Sequence, residues 1–163
     1  MRVHSLEEKE QEQLYKYLSY KMRIIYQLGC KTGLRISDII KLQKRILNIK
    51  EPTIKEQKTG KSKRFYLSKD IRSELKKIAE KSPNEYIFGT KNKQGYITRQ
   101  AVYKAFKKAA TKADIKTNIG THSMRKNYAL KIANKHNLKY VQNKLNHDNL
   151  NNTLIYALDK ELK

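Results

Sequence analysis

One cysteine, few acidic side chains and no long apolar run set the first limits on this chain. Cys30 stands alone, which excludes an internal disulfide and any zinc site built only of cysteines. It lies in Ile24-Ile25-Tyr26-Gln27-Leu28-Gly29-Cys30, whose apolar spacing is helical, so a small core side chain is expected there. No stretch approaches the length of a membrane span, and residues 1–19 lack the apolar segment of a secretory signal. A soluble, cytoplasmic protein with no membrane partner is therefore expected. Asp and Glu number 15 against 37 Lys and Arg, a net charge of +22 over 163 residues. A surface that positive repels itself unless it works against a polyanion, and nucleic acid is the usual one. Lys outnumbers Arg 29 to 8, and Asn and Ile are frequent, a bias that an A/T-rich coding sequence also produces. Composition alone points to nucleic acid without saying what is done to it.

The length suits one domain with its own core, and the chain shows no internal repeat or low-complexity segment. Periodic apolar positions predict helices over 6–18, with Ser5 as N-cap, and over 22–31. Gly33 supplies a left-handed stop, and a short helix follows over 37–42. Three stretches have strand character: 46–49, 53–58 and 63–67. The last two are expected to pair as a hairpin around Thr59-Gly60-Lys61-Ser62. Ser68 should cap a helix to about residue 80, broken by Ser82-Pro83-Asn84, with Tyr86-Ile87-Phe88 as a short buried piece. Thr98 and Thr121 should open two further helices, the second over 122–134. Helices over 138–145 and 151–158 close the chain. The expected fold is a single α+β domain over 1–163, mainly helical, with a small three-stranded antiparallel sheet.

Set against this frame, a few polar residues fall in a telling order. Thr32-Gly33-Leu34-Arg35 follows a helix stop, and Lys58 begins a hairpin turn. His122-Ser123-Met124-Arg125 opens a helix, His147 ends one, and Tyr156 lies nine residues beyond. Each motif is weak alone, because four His, eight Arg and eleven Tyr produce such spacings readily by chance. Their order and local context carry the weight. Arg35 and Arg125 could hold one phosphate, with the histidines and a tyrosine behind them, which is a site for cutting DNA through a phosphotyrosine. His122 and Arg125 are one helical turn apart and can face one point.

Thr-Gly-Leu-Arg-Ile-Ser-Asp at 32–38, Lys-Thr-Gly-Lys at 58–61, His-Ser-Met-Arg at 122–125, and Leu-Asn-His at 145–147 followed by Tyr156 resemble the phage-integrase family of tyrosine recombinases. The resemblance spans nearly the whole chain and covers only that family's catalytic domain. It implies that Arg35 and Arg125 are guanidinium forks holding the nonbridging oxygens of a phosphorane. Tyr156 would be the nucleophile, leaving a 3′-phosphotyrosine and a free 5′ hydroxyl. A phenol ionises near pH 10, so it needs cationic neighbours or a base. Lys58, on the hairpin, would be the general acid for the leaving 5′ oxygen, with Lys61 and Lys63 as the other candidates. His122 and His147 would contact the phosphate and manage protons around Tyr156. Strand exchange of this kind needs neither ATP nor metal, so no cofactor is expected. Asp38 matches an acidic position of the family and is expected to orient a neighbour or pair with Arg35. His4 and His136 have no partner at motif spacing and are expected at the surface.

The chain departs from the family in one place, where Asn146 stands instead of the usual Gly before the second histidine. Asn tolerates left-handed backbone, so the turn can survive. The resemblance leaves no counterpart of the family's N-terminal core-binding domain, residues 1–5 being at most the end of a linker. Weak, salt-sensitive binding to double-stranded DNA is expected, with a monomer in its absence and a tetramer on DNA in the full-length context. The function expected is site-specific recombination in phage or mobile-element integration and excision. The competing readings are type IB topoisomerase-like strand cleavage, a decayed copy that binds DNA without cutting it, and a basic RNA- or ribosome-associated protein.

Overall fold

The structure is a computed structural model that describes residues 3–149, 151, 153 and 154. In chain order its elements are α1 (Glu8–Tyr17), α2 (Tyr20–Thr32), α3 (Ile36–Ile39), a 3-10 turn (Lys44–Asn48), β1 (Thr53–Lys55), β2 (Ser62–Arg64), α4 (Lys69–Glu80), α5 (Arg99–Lys112), α6 (Ser123–Ala133) and α7 (Leu138–Leu145). The main core joins α2, α4 and α5 through Ile25, Tyr26, Leu75 and Phe106, all buried, with Tyr26 meeting Phe106 edge-on at 5.3 Å. A smaller cluster of Ala129, Val141 and Leu145 locks α7 onto α6.

Two glycines set how closely α2 and α6 approach, and this approach builds the site. A Cβ at Gly29 would come within 2.2 Å of the Met124 sulfur, and one at Gly33 within 2.3 Å of the Tyr128 ring. Gly33 also ends α2 at φ 63, with its N–H returning to the Gly29 carbonyl, as the sequence predicts. Ser68 and Thr98 cap α4 and α5 by accepting from Ile71 N and Ala101 N. Ser5 does not cap α1. It is buried, and the Asn127 side chain of α6 pairs with both backbone groups of Leu6, at 2.9 and 2.7 Å. That pairing holds the chain extended, so α1 begins later, where Glu7 N donates to Glu10 at 2.9 Å.

The sheet among the described residues has two strands rather than three. β1 and β2 pair antiparallel with Ile54 opposite Lys63. Residues 46–49, expected to form the third strand, lie largely in the 3-10 turn, where the consecutive Ile46 and Leu47 are both buried. An alternating strand cannot bury two neighbours on one face. Phe65 N and Leu67 N still donate to the carbonyls of Pro52 and Lys50, at 3.1 and 2.9 Å. Pro52 has no N–H to return, so the ladder stops there. Ile87 and Phe88 are fully buried, as expected of a short buried piece. Cys30 is half-buried against the core, and burial pushes its thiol up. Of the last expected helix, residues 151, 153 and 154 are helical and the remainder lies outside the described residues. No helix among the described residues is long and apolar enough to cross a membrane.

Candidate active site

Arg35, Lys58, His122 and Arg125 come from three separate segments, the last two sharing the start of α6, and line one open cleft of about 870 Å³. Arg35 is the extended residue before α3, placed by the chain reversal at Gly33. Arg125 sits in the first turn of α6 and is 1% exposed. Its guanidinium donates to the Gly33 carbonyl and, at 2.5 Å, to the Leu145 carbonyl. One side chain thus ties the Thr-Gly-Leu-Arg loop to the end of α7, where His147 begins. A planar fork suits this, since its donors diverge in fixed directions.

His122 stands at the N-terminal edge of α6. Desolvation and then the positive charges of Arg125, Arg35 and Lys58 push it below its ordinary value. His147 follows Asn146, which adopts the left-handed backbone that its place in the motif requires, at φ 51. The His147 N–H donates to the Gln142 carbonyl at 3.1 Å, and Nδ1 lies 3.1 Å from the Thr153 hydroxyl. Burial, then Arg125 and Arg35, push His147 down to about 4. At neutral pH both histidines are uncharged and able to accept a proton. Of the two, only His122 lines the cleft, so a phosphate entering it would bring negative charge beside His122 and raise it. Tyr156 lies outside the described residues.

The three hairpin lysines have three different surroundings. Lys58 is exposed in the turn and reaches the cleft. Lys61 pairs with Asp148, joining the hairpin to the loop after His147. Lys63 points inward from β2, only 5% exposed, and donates to the Gly33 carbonyl at 3.2 Å. Burial, then the charge of Arg125, push its ammonium down to about 7. Lys63 is therefore the most perturbed lysine of the hairpin.

Asp38 does not pair with Arg35 in the way one sequence expectation held. Its Oδ1 accepts the Gln57 N–H at 2.9 Å, fixing the start of the hairpin turn to α3. Burial and then the neighbouring Glu56 raise its carboxyl, against the Gln57 N–H and the two arginines. The acid that meets Arg35 is Glu56, at 2.7 Å, and it was not singled out from the sequence. Its signal was the alternation after Ile54, which turns Glu56 to the same inner side of the strand. Thr153 was likewise missed, a residue whose hydroxyl meets a histidine only through the turn between them. His136 is exposed and stacks on Tyr140 at 4.1 Å, whereas His4 is half-buried, with its backbone N–H donated to the Asn118 carbonyl. Among the described residues no cluster of three or more His, Cys, Asp or Glu could hold a metal ion.

The sequence pattern of the phage integrase family matches residues 4–162. The chain belongs to the phage integrase family. Tyrosine recombinase XerD of Staphylococcus aureus is 27% identical over 159 residues, covering 91% of this chain and 53% of the relative. XerD of Staphylococcus saprophyticus matches to the same extent. The chain spans about half the length of these relatives. In fold it resembles XerA recombinase, with TM-score 0.79, 20% identity, and 96% of this chain and 59% of that one covered. It also resembles lambda integrase in a dimer bound to a core site, with TM-score 0.80, 17% identity, and 100% and 50% covered. The mainly helical α+β architecture is thus the catalytic-domain fold of this family.

Proposed function

We propose that this chain is the catalytic part of a site-specific DNA recombinase that cuts and rejoins strands through a 3′-phosphotyrosine on Tyr156. The observation that carries this is the convergence of Arg35, Lys58, His122 and Arg125 on one cleft, in a protein of net charge +22. Arg35 and Arg125 hold the nonbridging oxygens and offset the charge that builds on the phosphorane. Tyr156 Oη attacks phosphorus and its proton passes to a neutral histidine, His147 or His122. The bond between phosphorus and the 5′ oxygen breaks, and Lys58 protonates that leaving oxygen. A second 5′ hydroxyl then attacks the phosphotyrosine and regenerates the tyrosine. The ester energy is kept throughout, so the exchange draws on no external energy source. The substrate is double-stranded DNA at a phage or mobile-element site, and four chains assemble on it in the full-length context. A lambda integrase tetramer bound to a Holliday junction offers a precedent for that assembly.

The test is covalent trapping on a nicked suicide duplex drawn from candidate attachment sites, with Tyr156→Phe as control. A denaturant-resistant adduct that disappears in the control supports the proposal. Relaxation of any supercoiled plasmid without site dependence would move it to topoisomerase-like cleavage. Salt-sensitive binding with no adduct would leave a DNA-binding remnant.

A further inference from the structure

Glu56 is a buried carboxylate placed where the site should welcome an anion. It is 1% exposed and lies 2.7 Å from a nitrogen of Arg35, the arginine proposed to meet phosphate in the cleft. Its other oxygen accepts from the Thr59 hydroxyl at 2.8 Å and from the Asn146 side-chain amide at 3.2 Å. Burial alone would raise this carboxyl, but the Thr59 hydrogen bond, the Arg35 charge and Asn146 hold it below its ordinary value. Glu56 is therefore charged at neutral pH. Thr59 follows Lys58 and Asn146 precedes His147, so one carboxylate reaches three segments that carry proposed catalytic residues. Asn146 also donates to the Ser62 carbonyl at 3.3 Å, closing the hairpin onto the α7 end.

We propose that Glu56 is a positioning residue that sets Arg35, the Lys58 turn and the His147 loop in register before DNA arrives, at some cost in DNA affinity. The inference rests on the recombinase reading above. A fixed negative charge beside Arg35 opposes the incoming phosphate and competes with it for the guanidinium. A residue that merely filled space or stabilised the fold would not show that opposition. The two roles therefore separate: the charge weakens binding, while the three contacts speed the covalent step.

The experiment compares wild type with Glu56→Gln and Glu56→Asp on a short fluorescent duplex carrying the nick. Equilibrium binding is measured together with the rate of adduct formation at saturating DNA. Glu56→Gln removes the charge and keeps the shape, and is expected to bind several-fold tighter while forming adduct at least tenfold more slowly. Glu56→Asp keeps the charge but shortens the reach, and is expected to bind as wild type does and to react more slowly. Weaker or unchanged binding by Glu56→Gln would overturn the proposal. So would a wild-type rate in Glu56→Asp, which also decides the matter if the glutamine variant fails to fold. If wild type forms no adduct, the recombinase reading fails separately, and the binding arm alone still confirms or refutes the opposing charge.

Discussion

The ammonium of Lys63 donates at 3.2 Å to the carbonyl of Gly33, the same oxygen that accepts from Arg125. Two cationic side chains from β2 and α6 thus converge on the last backbone oxygen of the α2 turn. Burial first, and then the positive charge of the nearby Arg125, push the Lys63 ammonium down to about 7. The folded protein holds this proton less tightly than the unfolded chain, whose lysine titrates near 10.5.

A stability profile follows. Between about pH 7 and 10.5 the unfolded chain binds the extra proton, so Lys63 makes folding more favourable as pH rises through that window. Urea unfolding of wild type and Lys63→Met at pH 7 and pH 10 checks this. Wild type should gain on the variant by roughly a few kcal/mol across the interval. Parallel profiles would show that Lys63 is charged and solvated.

His147 acts in the acidic range. Its folded value of about 4 lies below the ordinary 6.5, so the neutral ring's contribution is present above 6.5 and is lost as pH falls toward 4. Wild type should therefore lose stability more steeply than His147→Asn between pH 6.5 and 4.5, as read by denaturant midpoints. Equal slopes would place His147 in water.

Gly33→Ala should destabilise the fold by about 2–5 kcal/mol, through the left-handed backbone and the overpacked Tyr128 ring. The new Cβ would lie 2.3 Å from that ring at φ 63. The substitution also shifts the carbonyl that holds Arg125, so DNA cleavage should fall even at temperatures where the variant stays folded. Urea unfolding and adduct yield measure the two effects.

Much of this was legible from residues alone. The helix stop at Gly33, the caps at Ser68 and Thr98, and the left-handed Asn146 are local, set by one residue's backbone preference and its near neighbours. Arg35, Lys58, His122 and Arg125 were found because motif spacing records their positions, and the structure brings all four to one cleft. What failed was decided at long range. Ser5 lost its cap because Asn127 holds Leu6, 121 residues away. The third strand was lost because the consecutive Ile46 and Leu47 are both buried in a 3-10 turn. The alternation after Ile54 turns Glu56 inward, but its contacts with Arg35 and Asn146 are made with residues distant in sequence.

Arg125→Lys should reduce adduct formation by about a hundredfold to a thousandfold. A lysine offers a single point charge where the fork makes two backbone hydrogen bonds and, in the proposed mechanism, would hold the phosphate. Rates at saturating DNA, on protein shown to be folded by melting, provide the check. A change of less than tenfold would remove Arg125 from the charge-stabilising role.

Binding to duplex DNA should weaken steeply as salt rises from about 50 to 200 mM, because phosphate contacts release counterions. A fluorescence titration at several salt concentrations gives the slope. A slope near zero would contradict phosphate contact by this basic surface.

The most direct measurement is to locate the covalent bond. After trapping on a nicked duplex, digestion with nuclease and trypsin should yield peptide 145–160, which contains a single tyrosine, Tyr156. Mass spectrometry should find that peptide carrying a nucleotide through its 3′ phosphate, with fragment ions placing the adduct on Tyr156. An adduct on any other residue, or a 5′-phosphate linkage, would contradict phosphotyrosine cleavage at this site.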